Sequence, residues 1–449
     1  MIELFEQFGF KRKDRQFKEL PESCRNKLSP NKYYQRKVKR KNEDQLCYEI
    51  YFDQIDKDFH FQTSYFVGVD WVDIDNKLTI YVQPKLDKES IEIDYLGMLL
   101  EALEEPENSE HLDGLVYIDF HKPYIIINQE QDYLSLFLIA QFLQITKKIV
   151  QKGLKKSYYT VIENLNARVK GKILVGRNIK ENISKGRQIH TICQYQEFGV
   201  NCDENKILKK AYQFSRSVVQ QYEKGVDAQP LSQLINFIHP AFEHVSNDID
   251  IRKIKSFKSN PLFKEYDQAI KLALLILKRY SYNITKTEKQ QVMTPPFWID
   301  MSKLFELYIY KKLRTVFSSD EVKYHFKAKC QELDFVLRSH DKNMLFVVDT
   351  KYKPRYHNHN ISIEDIRQVS GYARLEKVYQ ELKISNLNEN LNCLIIYSHQ
   401  DCEEEIGIEH FVYNEANDET KIRKESGYVN FYKLGIRLPE KQQNKYFKI

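Results

Sequence analysis

Short runs rich in β-branched and aromatic residues dominate the first third of the chain. The segments 47-CYEIYFD-53, 65-YFVGVDWVDI-74 and 78-LTIYVQPKL-86 predict strands, and Asp75-Asn76-Lys77 predicts a turn between the last two. The period then changes. Ile91, Tyr95, Met98, Leu99 and Ala102 recur at helical spacing, which predicts a helix over 91–105, and strands are expected at 115–119 and 124–127. A stronger helix is expected over 131–152. It carries Leu134, Phe137, Leu138, Gln141 and Ile145 on one face, Lys147 and Lys148 toward its end and Gly153 just past it.

From 154 to 290 the pattern is mixed and then helical. The run 157–175 reads as strand around a Lys170-Gly171-Lys172 turn, and 189–198 reads as another strand. Helices are predicted over 204–224, 230–246 and 261–281, the first with Leu208, Ala211, Tyr212, Phe214 and Val218 as its apolar face. Met293-Thr294-Pro295-Pro296-Phe297 breaks the helical pattern and is the expected domain boundary. Beyond it, 299–317 is an amphipathic helix with Asp300 or Ser302 as its cap. A hairpin of 332-ELDFVLR-338 and 344-MLFVVDTKYK-353 follows, then a helix over 362–383 and strands at 391–398, 408–414 and 428–438. The order helix, hairpin, helix, strand predicts an α/β sandwich around a small mixed sheet. The whole chain is therefore expected to be an α+β (α/β) multidomain protein. Its parts would be a β-rich N-terminal region at 1–152, a mixed and helical middle domain at 153–292 and a C-terminal sandwich at 293–449.

Composition narrows the class. The 449 residues leave room for two or three domains, and 42% hydrophobic with 29% charged residues is a globular balance. Apolar runs such as 134-LSLFLIA-140 fall far short of the roughly 20 residues that span a bilayer. The N-terminus has no apolar core before a cleavage site, so no secretory leader is expected. The seven cysteines form no C-x-x-C pair, which argues against a disulfide framework or a standard zinc site and fits a reducing cytoplasm. Charge is uneven. Residues 11–41 hold 13 Lys/Arg against Asp14, Glu19 and Glu22, a net +10 against +6 for the whole chain, so the remainder sums to −4. Lys37, Lys39, Arg40 and Lys41 in this arm are candidate phosphate contacts, with a solvated basic face as the alternative.

The chemistry concentrates at Asp334 and, fifteen residues on, Asp349-Thr350-Lys351. On an extended strand Asp349 and Lys351 share a face, and the hairpin can set Asp334 beside them. Two such carboxylates repel unless a hard divalent cation is shared between them, and Mg²⁺ takes such oxygen ligands plus waters. A lysine beside that ion can act on the attacking water and stabilise phosphate charge. Taken alone, D-x(14)-D-x-K is also common on solvated strands. The apolar run 344-MLFVV-348 marks this strand as buried. Glu306 adds a carboxylate inside the apolar run Leu304-Phe305-Glu306-Leu307, where it needs a partner, and Gln368 and Tyr372 sit at i and i+4 on the next helix. Lys353 is a further candidate phosphate contact, or a lysine snorkelling at the strand end.

Glu306, Asp334, Asp349-x-Lys351 and Gln368-x3-Tyr372 together resemble the PD-(D/E)xK nuclease core with the QxxxY helix of its RecB-like branch. The strings 295-PPFWIDMSKLFELYIYKKL-313, 347-VVDTKYK-353 and 368-QVSGYARL-375 look like the nuclease region of the McrC family, and similar blocks occur at 67–86, 153–173 and 193–211. McrC is the nuclease subunit of the McrBC modified-cytosine restriction system. Leu333 departs from the Pro that usually precedes the first Asp. The resemblance implies that 293–449 is a PD-(D/E)xK sandwich whose Glu306, Asp334 and Asp349 hold Mg²⁺, with Mn²⁺ as a substitute. It also implies a separate McrB-like AAA+ GTPase ring as partner, bound through N-terminal regions so that 1–152 would contact the ring, DNA or both, with double-stranded DNA as the substrate. Reading of the modified base would belong to that partner. No G-x-x-x-x-G-K-[ST] string occurs, so no nucleotide is expected on this chain.

Weaker signals point elsewhere. His357-x-His359 reads as a solvated pair, Cys193 and Cys202 as buried thiols, and no G-x-S-x-G elbow exists. The competing reading is a non-catalytic activator or scaffold of an AAA+ ring that binds DNA without cutting it. The intact acid and lysine set favours the nuclease.

Overall fold

The computed structural model describes residues 1–9, 14–17, 20–40, 43–84, 93–112, 114–119, 121–128, 133–222, 229–250, 264–283, 291–329, 331–339, 344–353, 356, 361–399 and 422–440. In chain order the first elements are β1 (Ile2–Phe5), α1 (Glu22–Arg25), β2 (Tyr34–Arg40), β3 (Glu43–Asp53), β4 (Asp58–Thr63), β5 (Phe66–Asp73) and β6 (Leu78–Gln83). Next come α2 (Tyr95–Glu104), β7 (Val116–Ile118), β8 (Ile125–Asn128), α3 (Tyr133–Lys152), β9 (Ser157–Asn166), β10 (Lys172–Ile173), α4 (Val175–Glu181) and β11 (His190–Gly199). The helices α5 (Asp203–Tyr222), α6 (Gln229–Ile238) and α7 (Lys264–Asn283) follow. The last part holds β12 (Gln291–Thr294), β13 (Phe297–Asp300), α8 (Met301–Val316), β14 (Val322–Ala328), β15 (Gln331–Ser339) and β16 (Met344–Lys351). It ends with α9 (Ile363–Tyr372), α10 (Glu376–Glu381), β17 (Asn392–Ser398), β18 (Arg423–Lys424) and β19 (Phe431–Ile436). The architecture is the expected α+β multidomain one.

Two compact units form, one from Met1–Leu134 with Glu288–Ile449 and the other from Ser135–Thr287. This differs from three consecutive domains, and β13 is the physical reason. It lies between β5 and β7, antiparallel to both, in a five-stranded sheet of order β1-β6-β5-β13-β7, while β12 pairs with β8. The Pro295-Pro296 step is therefore a corner between two strands rather than a linker, since proline has no N–H to give a ladder. Phe297, Trp298 and Ile299 are buried in that sheet, and Trp298 Nε1 donates to Asp70 at 3.3 Å.

The first unit also contains the three-stranded sheet β2-β3-β4 and a six-stranded sheet of order β14-β15-β16-β17-β19-β18. In the latter, β14, β15 and β16 run antiparallel and β16, β17 and β19 run parallel, with α9 and α10 in the β16–β17 crossover. Val347, Ile366, Val369, Val378, Leu391 and Ile395 share the core under that crossover. The helix expected over 362–383 is two, because the chain turns at Ala373–Leu375. The strand β14 has no counterpart in the predicted elements, and the strand expected at 408–414 lies outside the described residues. Asp300 caps α8, accepting from Lys303 N at 2.9 Å. Along the same helix, Asn108 donates to Leu307 O at 2.9 Å and to Ala102 O at 2.8 Å, joining α8 to α2.

In the second unit β9 and β11 pair antiparallel from Ser157↔Gly199 to Asn166↔His190, with β10 beside β11. Val175, expected at a strand end, instead opens α4. Tyr266 of α7 accepts from Lys155 N at 2.7 Å and donates to Asn205 of α5 at 2.8 Å, which fixes the start of β9 to the helices. The outer part of the sheet is apolar and uncovered: Tyr158 is 71% and Phe198 60% exposed. No helix among the described residues is long and apolar enough to cross a membrane.

Candidate functional site: an acid and lysine centre at the end of β16

The apolar residues Phe346, Val347 and Val348 bury the middle of β16, and the strand ends in Asp349 and Lys351. The last paired residues of β15 and β16 are Phe335 and Val348, so Asp334 sits one step further, alongside Asp349. Asp334 Oδ2 accepts from both Thr350 N (2.8 Å) and Thr350 Oγ1 (2.7 Å). Asp349 Oδ2 lies 2.7 Å from Lys351 Nζ. That ammonium donates to Gln368 Oε1 at 3.0 Å, and Gln368 Nε2 donates to Tyr372 at 2.7 Å. The hairpin, the strand end and the i,i+4 pair on α9 thus converge as the sequence predicts.

Glu306 joins them from α8. It is buried, 5% exposed, and each carboxylate oxygen has a nitrogen neighbour: His325 Nε2 at 2.9 Å from Oε1 and Arg40 Nη2 at 3.6 Å from Oε2. His325, on β14, also contacts Glu332 through Nδ1. Electrostatics follow from this crowding. Burial, then Glu306 and Asp349, push Asp334 up to about 7. Burial also raises Asp349 against the pull of Lys351. For Lys351, burial works to lower the pKa, but Asp349 and Asp334 outweigh it and hold the ammonium above its ordinary value. Asp334 and Asp349, adjacent and both raised by burial and by neighbouring carboxylates, are an all-oxygen pair of the kind a hard divalent cation takes, while the donor atoms of Asp334, Asp349 and Glu306 do not all lie within 4.8 Å of one another.

Other expected residues are placed differently. Lys353 pairs with Asp365 at 2.6 Å and donates to Tyr356 at 3.2 Å, so it is engaged inside the fold rather than held out for a phosphate. Lys37 and Lys39 are exposed on β2. Arg40 is a correction to the DNA-contact set: it faces inward, its guanidinium 3.4 Å from buried Asp300 as well as near Glu306. Alternation along β2 sets this, since Tyr34, Val38 and Arg40 share the inner face. Lys41, His357 and His359 lie outside the described residues. Cys193 and Cys202 are buried free thiols.

Sequence reasoning missed His325, Thr350, Asp365 and the inward role of Arg40. Only Asp365 had a signal, the Ser362-x-x-Asp365 cap of α9, in which Ser362 accepts from Asp365 N. A separate group, Asp53, Asp56 and His60, brings its donor atoms within 4.8 Å of one another. Asp53 and Asp56 face different ring nitrogens of His60, at 3.9 and 2.7 Å, so the ring stands between the two carboxylates.

Fold and site define an α+β multidomain protein with a buried acid and lysine centre at the end of a central strand. The chain belongs to the family of McrBC 5-methylcytosine restriction system components, whose model matches residues 62–384. That span includes Glu306, Asp334, Asp349, Lys351, Gln368 and Tyr372. Among solved structures the chain is similar to one in the refined half-complex from the tetradecameric assembly of Thermococcus gammatolerans McrB AAA+ hexamers with bound McrC. Identity there is 15%, coverage is 84% of this chain and 78% of that one, and the TM-score is 0.35. It is also similar to a chain of the Thermococcus gammatolerans McrBC complex, at 17% identity over 59% of this chain and 69% of that one, with a TM-score of 0.26. No protein with a curated description matches.

Proposed function

We propose that this chain is the Mg²⁺-dependent DNA endonuclease subunit of an NTP-driven restriction complex, activated by a separate AAA+ GTPase ring whose hydrolysis it stimulates. One observation carries the nuclease reading: Asp334 and Asp349 meet at the end of β16 with Lys351 on the second carboxylate. Family membership supports the restriction context. Asp334, Asp349 and Glu306 would hold the Mg²⁺, for which Mn²⁺ can substitute. When bound, the cation supplies Lewis-acid polarisation of the scissile phosphate.

Lys351 has three donors and no acceptor, so its work is on the attacking water and the phosphate oxygens. Its raised pKa keeps it an ammonium at neutral pH, which favours orienting the water and stabilising charge over abstracting a proton. Gln368 holds that ammonium through Oε1, and Tyr372 fixes the amide. Lys37 and Lys39, exposed on β2, would meet DNA phosphates in this reading. The uncovered apolar side chains Tyr158, Ile162 and Phe198 of the second unit suit a protein partner, and we assign the AAA+ ring to that face. Recognition of the modified base and nucleotide binding belong to the ring in this reading.

Reconstitution tests it. Purified chain, partner ring, GTP and Mg²⁺ should cut modified double-stranded DNA, and chelation of Mg²⁺ should stop cutting. A complex that hydrolyses GTP and binds DNA without ever cutting it would return the scaffold reading.

A further inference from the structure

We infer that Arg40, on an N-terminal strand, is a positioning residue of the acid and lysine centre, acting by holding Glu306. The inference rests on the nuclease reading above. The strand β2 has two faces: Gln35, Lys37 and Lys39 are exposed, while Arg36 and Arg40 turn toward buried acids. Arg36 Nε lies 3.3 Å from Asp70 and its Nη2 3.4 Å from Asp119. Arg40 does the equivalent at the centre, with Nη1 3.4 Å from Asp300 and Nη2 3.6 Å from Glu306.

Asp300 caps the helix that carries Glu306. Asp300 is fully buried and spends one oxygen on the helix cap, and Glu306 is nearly buried. The planar guanidinium presents its donors in a fixed fork, here with one terminal nitrogen toward each carboxylate. With His325 on its other oxygen, the Glu306 carboxylate is held from two sides. A second tie runs from the same N-terminal region to the strand that carries Asp349 and Lys351. Tyr352, the next residue, donates to Glu6 at 2.9 Å, and its carbonyl accepts from Gln7 Nε2 at 2.8 Å. N-terminal residues therefore brace both walls of the centre, and Arg40 is the one that reaches a proposed ligand.

The test is Mn²⁺ binding to the full chain, by calorimetry and by the electron paramagnetic resonance spectrum of the bound ion. Groups that orient a metal ligand typically change affinity about 10–100-fold when removed, so Arg40→Gln should weaken Mn²⁺ binding by about 10-fold or more. In a Glu306→Gln background the same substitution should add nothing further, because its effect runs through that carboxylate. Where Arg40→Gln fails to fold, Arg40→Lys carries the test: it keeps the charge, loses the fork and should weaken binding several-fold, with an altered spectrum. Wild-type or tighter Mn²⁺ binding in a folded Arg40 variant, while Asp349→Ala loses the ion, overturns the inference and leaves the nuclease reading standing. Additive losses in the double variant overturn it as well. Wild-type binding by Asp349→Ala overturns the nuclease reading and this inference with it.

Discussion

Asp349 and Lys351 share a face and a 2.7 Å contact, yet their chemistry separates cleanly. A carboxylate accepts a cation; an ammonium cannot. Lys351→Ala should therefore keep Mg²⁺ binding by calorimetry while losing cleavage by roughly 10²-fold or more, as when a charge-stabilising group is removed. Loss of the ion in that variant would make the lysine structural. Asp334 gives a pH signature. Its folded pKa of about 7 lies above the ordinary carboxylate value of 3.8, so between these limits the folded state binds the extra proton. Stability from this group is full below the lower limit and is lost as pH rises toward 7. Without divalent ions, the melting temperature of wild type should fall more steeply over this window than that of Asp334→Asn, and Mg²⁺ should reduce the difference. At this scale the strand period made Asp349 and Lys351 legible. The partners of Arg40 and Lys353 were not, because Asp300, Glu306 and Asp365 are brought to them only by the tertiary fold.

Elements repeat the lesson. Strong apolar runs such as β6 and β17 are readable because their apolar residues are buried throughout. The strand β14 was hidden, since 322-VKYHFKA-328 mixes polar and apolar residues and includes His325 at φ +51°. Proline at 295 and 296 looked like an ending and is a corner. The basic arm was read as one surface, whereas β2 divides it into a solvent face and an inner face. DNA binding should follow that division. Replacing Lys37 and Lys39 by Gln should weaken binding and reduce the slope of log K against log salt by about 0.9 for each lost phosphate contact. An unchanged slope, measured by anisotropy across a salt series, would mean that the outer face of β2 is only solvated.

For the whole molecule, the first unit is closed by a strand from the distant part of the chain. Phe297, Trp298 and Ile299 are each about 1% exposed between β5 and β7. Uncovering such side chains costs roughly 1.5–3 kcal/mol apiece. A fragment of residues 293–449 should therefore lack a cooperative thermal transition, whereas the full chain shows one; a cooperatively folding fragment would contradict the paired role of β13.

Asp349 serves cleavage and not assembly in this reading. The most direct measurement compares wild-type and Asp349→Ala chains, each reconstituted with the partner ring, GTP, Mg²⁺ and modified DNA, following DNA cutting and GTP hydrolysis in the same tube. The variant is expected to stimulate hydrolysis as wild type does while leaving the DNA intact. Wild-type cutting by the Asp349→Ala complex would contradict the account.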